Sequence, residues 1–133
     1  MVEYITGING TGKSKILSEA AICTAMSSKG NVIYVDSTDK LLLTLPTSIR
    51  LINASNYEIG SASALYGFLV GLCVSDYDLT DIFIDSTLEL ISNKDTEITD
   101  FMEIMSKLSD CTGVDFHFSV IDEYEREPVC YTV

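Results

Sequence analysis

The segment Gly7-Ile8-Asn9-Gly10-Thr11-Gly12-Lys13-Ser14 places three glycines and a lysine-serine pair between two stretches of different periodicity. Before it, Val2 to Thr6 is a short β-rich run. After it, Ile16, Leu17, Ala20, Ala21 and Met26 follow helical spacing as far as Lys29-Gly30. Glycine adopts backbone conformations closed to other residues, so the pattern predicts a strand, a tight loop and a helix in immediate succession. The rest of the chain has to fold around this unit.

Asn31 to Asp36 reads as a second strand, nearly continuous in apolar character, as expected of a parallel strand covered on both faces. From Asp36 to Pro46 the residues Leu41, Leu42, Leu43 and Leu45 fit either a short helix or a packed loop that Pro46 ends. Ile49 to Asn53 predicts a third strand. Ser61 to Val74 predicts a helix with Ala64, Leu65, Phe68, Leu69 and Leu72 on one stripe, and Asp81 to Asp85 a further strand. Glu97 to Ser109 sets Ile98, Phe101, Met102, Ile104, Met105 and Leu108 at helical intervals, and Gly113 closes that helix. Val114 to Val120 then resumes β character, and Pro128 to Val133 adds a last strand. The order β-α-β-β-α-β-α-β-β predicts one three-layer α/β domain over residues 1–133.

Composition narrows the range of partners. Eight Lys plus Arg against 20 Asp plus Glu give a net charge of -12, which disfavours a general electrostatic grip on nucleic acid or on an anionic membrane. An apolar fraction of 47% is too rich for a disordered chain. The longest apolar run, Ala64 to Val74, contains Gly67 and Gly71 and falls short of the roughly 20 residues that cross a bilayer, so it reads as a buried helix. The four cysteines, Cys23, Cys73, Cys111 and Cys130, form no C-x-x-C pair, and His117 is the single histidine, so neither disulfides nor zinc is expected. The opening Met-Val-Glu-Tyr has no basic, apolar leader, from which a cytoplasmic location is expected.

The glycine segment also has a chemistry. It satisfies G-x-x-x-x-G-K-[ST] in the strand-to-helix context that this pattern demands. Backbone amides of Gly7, Ile8, Asn9, Gly10, Thr11 and Gly12 would turn inward around phosphate oxygens, and the helix starting near Lys13 would aim its positive end at them. Lys13 would reach the β- and γ-phosphates, and the Ser14 hydroxyl would complete the shell of a Mg²⁺ ion. The bland alternative is a glycine-rich turn with a solvated lysine.

Asp85, at the end of the apolar strand Asp81-Ile-Phe-Ile-Asp85, is a candidate to hold a water of the same Mg²⁺; the alternative is an aspartate that caps a turn. Asp85 is followed by Ser86-Thr87-Leu88, and Asn93-Lys94-Asp95 lacks the spacer of an N-K-x-D guanine reader, so guanine specificity loses support. A small-molecule kinase would bring an arginine-bearing lid, and the chain holds only Arg50 and Arg126.

Phe83-Ile-Asp85-Ser-Thr-Leu-Glu-Leu90 resembles the metal-aspartate segment of RecA-like ATPases. Gly30 to Asp36, Ile49 to Asn53, Leu65 to Phe68, Phe83 to Asp85 and Gly113 to Phe116 resemble a family of small bacterial proteins described as ATP-binding or twitching-motility ATPases. The resemblance covers nearly the whole chain, but outside the glycine loop it consists mostly of core segments. It implies a three-layer P-loop NTPase fold with a mostly parallel RecA-like sheet, binding ATP and Mg²⁺.

The chain also departs from that group. RecA-like hydrolases carry a catalytic glutamate just past the second strand, where this sequence offers Asp36-Ser37-Thr38-Asp39. Asp36 or Asp39 would have to position the attacking water, unless both cap turns. Ser119 falls where the group often keeps a polar residue that senses the γ-phosphate, with His117 on the same face; plain strand burial is the favoured explanation for both. Arg126 reads either as an arginine finger for a neighbouring subunit or as a solvated charge. The expectation is an ATPase that is slow or dependent on a protein partner or a second copy. A catalytically degenerate interaction module and a small-molecule kinase are the alternatives.

Overall fold

The computed structural model describes residues 1–8, 12–87, 95–121 and 128–133, without the side chains of 95–97. Strands β1 (Val2–Gly7), β2 (Asn31–Asp36), β3 (Ile49–Asn53), β4 (Leu79–Ile84), β5 (Asp115–Ile121) and β6 (Val129–Thr132) form a single sheet in the order β3-β2-β4-β5-β1-β6. The pairs among β1 to β5 are parallel, and β6 adds to the outer edge of β1 in the antiparallel sense.

Helix α1 (Lys13–Ser27) joins β1 to β2. Helices α2 (Ala62–Ser75) and α3 (Asp95–Thr112) follow β3 and β4. The first crossover runs across the sheet from β1 to β2, whereas those through α2 and α3 run back toward β5. Right-handed connections in opposite directions require opposite faces. Accordingly α1 packs through Leu17 and Ala21 on Ile5, Val32, Tyr34 and Phe83. Leu65 and Leu69 of α2 and Phe101, Met102 and Met105 of α3 pack on the other face with Ile33, Val35, Ile82, Ile84, Phe116 and Phe118. The result is three layers of α/β type.

Local signals explain the helix boundaries. The Ser61 hydroxyl accepts from the Ala64 amide at 3.1 Å and caps α2. Gly113, at φ 75°, ends α3 with its amide on the Ser109 carbonyl at 2.8 Å. α1 is covered along a narrower stripe than its periodicity suggests: among the described residues no other helix packs on its face, so Leu17 and Ala21 are buried while Ile16 and Met26 are exposed. On α3, Ile104 is likewise exposed.

The chain from 37 to 48, ambiguous in sequence, is a series of turns. The Leu42 amide donates to the Asp39 carbonyl and the Leu45 amide to the Leu41 carbonyl, both at 3.0 Å. Leu45 is buried and Leu41 half-buried in the cluster under α1, while Leu42 and Leu43 face solvent.

One row of the sheet places aromatic and charged groups side by side. Tyr34, Phe83, His117 and Glu3 are register partners across β2, β4, β5 and β1. The Phe83 and His117 rings stack with centroids 4.2 Å apart. His117 Nδ1 lies 2.5 Å from Glu3 Oε1, and its Nε2 lies 2.9 Å from Asp81 Oδ1. Burial opposes charge on this imidazole, but the hydrogen bonds and charges of Asp81 and Glu3 prevail and raise its pKa. For Asp81 burial also opposes charge, and the His117 partnership lowers its pKa below the ordinary value.

Candidate functional site

The five parallel strands share one direction, so Gly7, Asp36, Asn53, Ile84 and Ile121 all end at one edge of the sheet. Ligands of open parallel sheets bind outside that carboxyl edge. The period of two then sorts side chains by face: Tyr34 and Asp36, Phe83 and Asp85, and His117 and Ser119 share the α1 side. Three of the groups singled out in sequence, Lys13, Asp36 and Asp85, thus lie at one edge under one helix.

Lys13 is placed by the stripe that packs α1. Lys13, Leu17 and Ala21 recur every four residues and face the sheet, so the lysine is drawn inward and is only 7% exposed. Its Nζ donates to the Gly7 carbonyl at 2.6 Å and to the Ile8 carbonyl at 3.3 Å. The ammonium therefore ties the end of the glycine segment back to its start. Gly12 has φ 89°, and a Cβ added there would meet nothing within 4 Å among the described residues, so the backbone conformation is what calls for glycine.

The start of α1 is not neutralised by its own side chains. Gly12 stands at the N-cap, no side-chain cap hydrogen bond is present among the described residues, and the first turn has no acidic residue. The first amides of a helix lack intrahelical partners, and the dipole adds positive potential there. An anion is the complementary ligand. Asn9, Gly10 and Thr11 lie outside the described residues.

Asp85 is buried, at 1% exposure, and its carboxylate is held from three directions. The Tyr34 hydroxyl donates to Oδ2 at 3.0 Å. The hydroxyls of Ser119 and Ser86 donate to Oδ1 at 2.7 and 3.3 Å. Ser119 Oγ also accepts from the Ser86 amide at 3.0 Å. That contact accompanies a left-handed Ser86, φ 57°, a conformation costing a non-glycine residue on the order of 1 kcal/mol or more. Burial, followed by the charge and hydrogen bond of Asp85, raises the Tyr34 pKa and keeps its phenol a donor.

Asp36 differs. It is fully buried, and Oδ1 accepts from the Ser37 amide at 2.7 Å, yet Oδ2 has no hydrogen-bond partner among the described residues. Lys40 Nζ lies 4.0 Å from that oxygen. Burial, then the charge of Asp85, raises the Asp36 pKa, against the smaller opposing effects of Lys40 and the Ser37 and Thr38 amides. Lys40 Nζ also donates to Ser14 Oγ at 3.4 Å, linking α1 to the β2 edge.

Ser14, Asp36 and Asp85 offer hydroxyl and carboxylate oxygens, a hard donor set of the kind Mg²⁺ takes, and the unpartnered Asp36 Oδ2 can accept a bound water. Among the described residues, no group of three or more His, Cys, Asp or Glu side chains could hold a metal ion by itself. Mg²⁺ usually keeps several waters and is held through one or two carboxylates plus substrate phosphates. The residues present fit that arrangement.

The other sequence candidates are distributed as follows. Asp39 is exposed and contributes a turn through its carbonyl, outside the hydrogen-bonded group around Asp85. Ser119 joins that group as a holder of Asp85, whereas His117 belongs to the Glu3 and Asp81 cluster. Asn93, Lys94 and Arg126 lie outside the described residues, and Asp95 begins α3. Tyr34 and Lys40 were not singled out in sequence. A tyrosine within a buried strand is the available signal for the first, since its hydroxyl must find a partner. Among the described residues, no helix is long and apolar enough to cross a membrane.

In comparison with known proteins, no family model matches this chain and no curated protein matches it.

Proposed function

We propose that the chain is a RecA-like P-loop protein that binds ATP with Mg²⁺ in the cytoplasm and hydrolyses it slowly, or when a protein partner or second copy completes the site. The observation that carries this reading is the buried Lys13 ammonium, folded onto the Gly7 and Ile8 carbonyls at the uncapped start of α1. On nucleotide binding, Lys13 exchanges those carbonyls for β- and γ-phosphate oxygens, and the first amides of α1 donate to the same anion. Ser14 and Asp85 would hold Mg²⁺, directly and through water. Bound there, the ion supplies charge neutralisation at the phosphates. Tyr34, Ser86 and Ser119 keep the Asp85 carboxylate in one orientation. Asp36, whose Oδ2 has no hydrogen-bond partner among the described residues, would accept a proton from an attacking water.

Titration of wild type and Lys13→Ala with ATP in the presence of Mg²⁺ tests the reading. The expected result is a loss of affinity of about tenfold or more, because a charge-assisted contact is removed. Equal affinity in both proteins would overturn it. Phosphate release by wild type alone identifies an ATPase. A nucleotide-binding interaction module is the second reading, favoured by Asp85 being committed to three hydroxyl donors and by aspartates standing where a longer glutamate would reach further. Binding without phosphate release selects it.

A further inference from the structure

The nucleotide reading leaves a charge problem at the carboxyl edge. A nucleoside triphosphate brings several negative charges to an edge that already carries Asp36 and Asp85, in a chain of net charge -12. Lys13 and one divalent cation do not balance them. A further lysine, Lys40, reaches this edge from the β2–β3 connection.

Its position is fixed by the packing of that connection. Leu41 and Leu45 insert into the cluster under α1, and the turns closed on the Asp39 and Leu41 carbonyls bring the chain back over the start of the helix. The Lys40 side chain, 46% exposed, then reaches inward, with Nζ 3.4 Å from Ser14 Oγ and 4.0 Å from the unpartnered Asp36 Oδ2. Neither contact is a close charge-assisted hydrogen bond, which has a heavy-atom distance of about 2.7–2.9 Å for nitrogen to carboxylate. A flexible four-carbon stem holding a hydrated ammonium at such distances costs little to redirect. A cation taken up by Ser14 would repel the ammonium from the hydroxyl, while the terminal phosphate would attract it.

We infer that Lys40 is a specificity-determining residue of this site: it moves from Ser14 and Asp36 onto the terminal phosphate of a bound nucleoside triphosphate and so distinguishes triphosphate from diphosphate. The inference rests on the phosphate-loop reading and extends it to a residue outside the loop. Lys40 supplies from the same chain a cation for the far end of the phosphate chain, from a starting position between Ser14 and Asp36. A diphosphate, lacking that end group, leaves Lys40 where it now stands.

The test is the affinity of the full chain for ATP and for ADP, each with Mg²⁺, in wild type, Lys40→Met and Lys40→Arg. Removal of the charge is expected to weaken ATP by about tenfold and ADP by less than about twofold, with Lys40→Arg keeping the preference. Equal losses for both nucleotides, or none, would overturn the inference, since Lys40 would then serve only its present neighbours. Tighter ATP binding in Lys40→Met would also overturn it, marking the side chain as a plug in the cation's place. Failure of wild type to bind either nucleotide would overturn the phosphate-loop reading itself, and this inference with it. Thermal unfolding of each variant verifies that the folded state persists at this half-exposed position.

Discussion

The Tyr34 hydroxyl donates to Asp85 Oδ2 at 3.0 Å, joining the middle of β2 to the residue that follows β4. Both side chains are essentially inaccessible to water. Tyr34→Phe removes the donor and leaves a buried carboxylate oxygen short of a partner, at a cost of about 1–3 kcal/mol. Urea unfolding measures it; a midpoint equal to that of wild type would show that the bond contributes nothing.

Asp85→Asn separates stability from cation handling. The amide nitrogen cannot accept from a hydroxyl, so either Tyr34 or the pair Ser119 and Ser86 loses its acceptor and the protein is destabilised. If Asp85 holds a Mg²⁺-bound water, the variant also loses the gain in ATP affinity that added Mg²⁺ gives wild type, while affinity without Mg²⁺ stays close to that of wild type. Calorimetric titrations with and without the ion check this, and an undiminished Mg²⁺ gain would remove Asp85 from the cation's shell.

The His117 cluster predicts a pH dependence of stability. The histidine's folded pKa is raised above its unfolded value of about 6.5, so its contribution is fully present below that pH and is lost as pH rises through the folded value. The folded pKa of Asp81 is lowered, so its contribution is present above about pH 4 and is lost as pH falls through the folded value. Stability from this cluster is therefore greatest in the mildly acidic range between. Urea unfolding from about pH 6 to about pH 9 should show a decline in wild type that is smaller in His117→Gln. Equal declines in the two proteins would exclude the imidazole as its source.

Gly30 lies where two segments of the chain nearly touch. A Cβ at this position would collide with the Asp78 carbonyl oxygen and approach the Thr80 methyl, next to the Asn31 amide bond to that same carbonyl at 2.7 Å. Gly30→Ala should cost about 1–3 kcal/mol as the strand entry shifts. An unchanged unfolding midpoint would mean that the β2 entry relaxes freely.

Periodicity revealed the fold where burial repeats regularly. The bounds of β2 and β3 coincide with the expected Asn31–Asp36 and Ile49–Asn53, because both runs are apolar between clear turn signals. β4 starts at Leu79 rather than Asp81. Thr80 and Asp81 mask its polar beginning, and their partners Ser28 and His117 come from elsewhere in the chain. The antiparallel sense of β6 depends on its pairing with β1, which no local pattern encodes.

At the site, the glycine segment and the two strand-end aspartates stood out because each lies at a change of periodicity. Of the shell around Asp85, Ser119 alone is a candidate in sequence, and for a different role. Tyr34, Ser86 and Ser119 converge only once β2, β4 and β5 are aligned, and Lys40 reaches Ser14 only through the folding of a leucine-rich connection that fits two descriptions in sequence.

β6 covers the outer margin of β1, so the strand leading into Gly7 is flanked on both sides. The end of β1 is therefore an anchored stem, and breathing of the sheet margin is spent on β6. Amide deuteration should then proceed slowly along β1 while the final strand exchanges first.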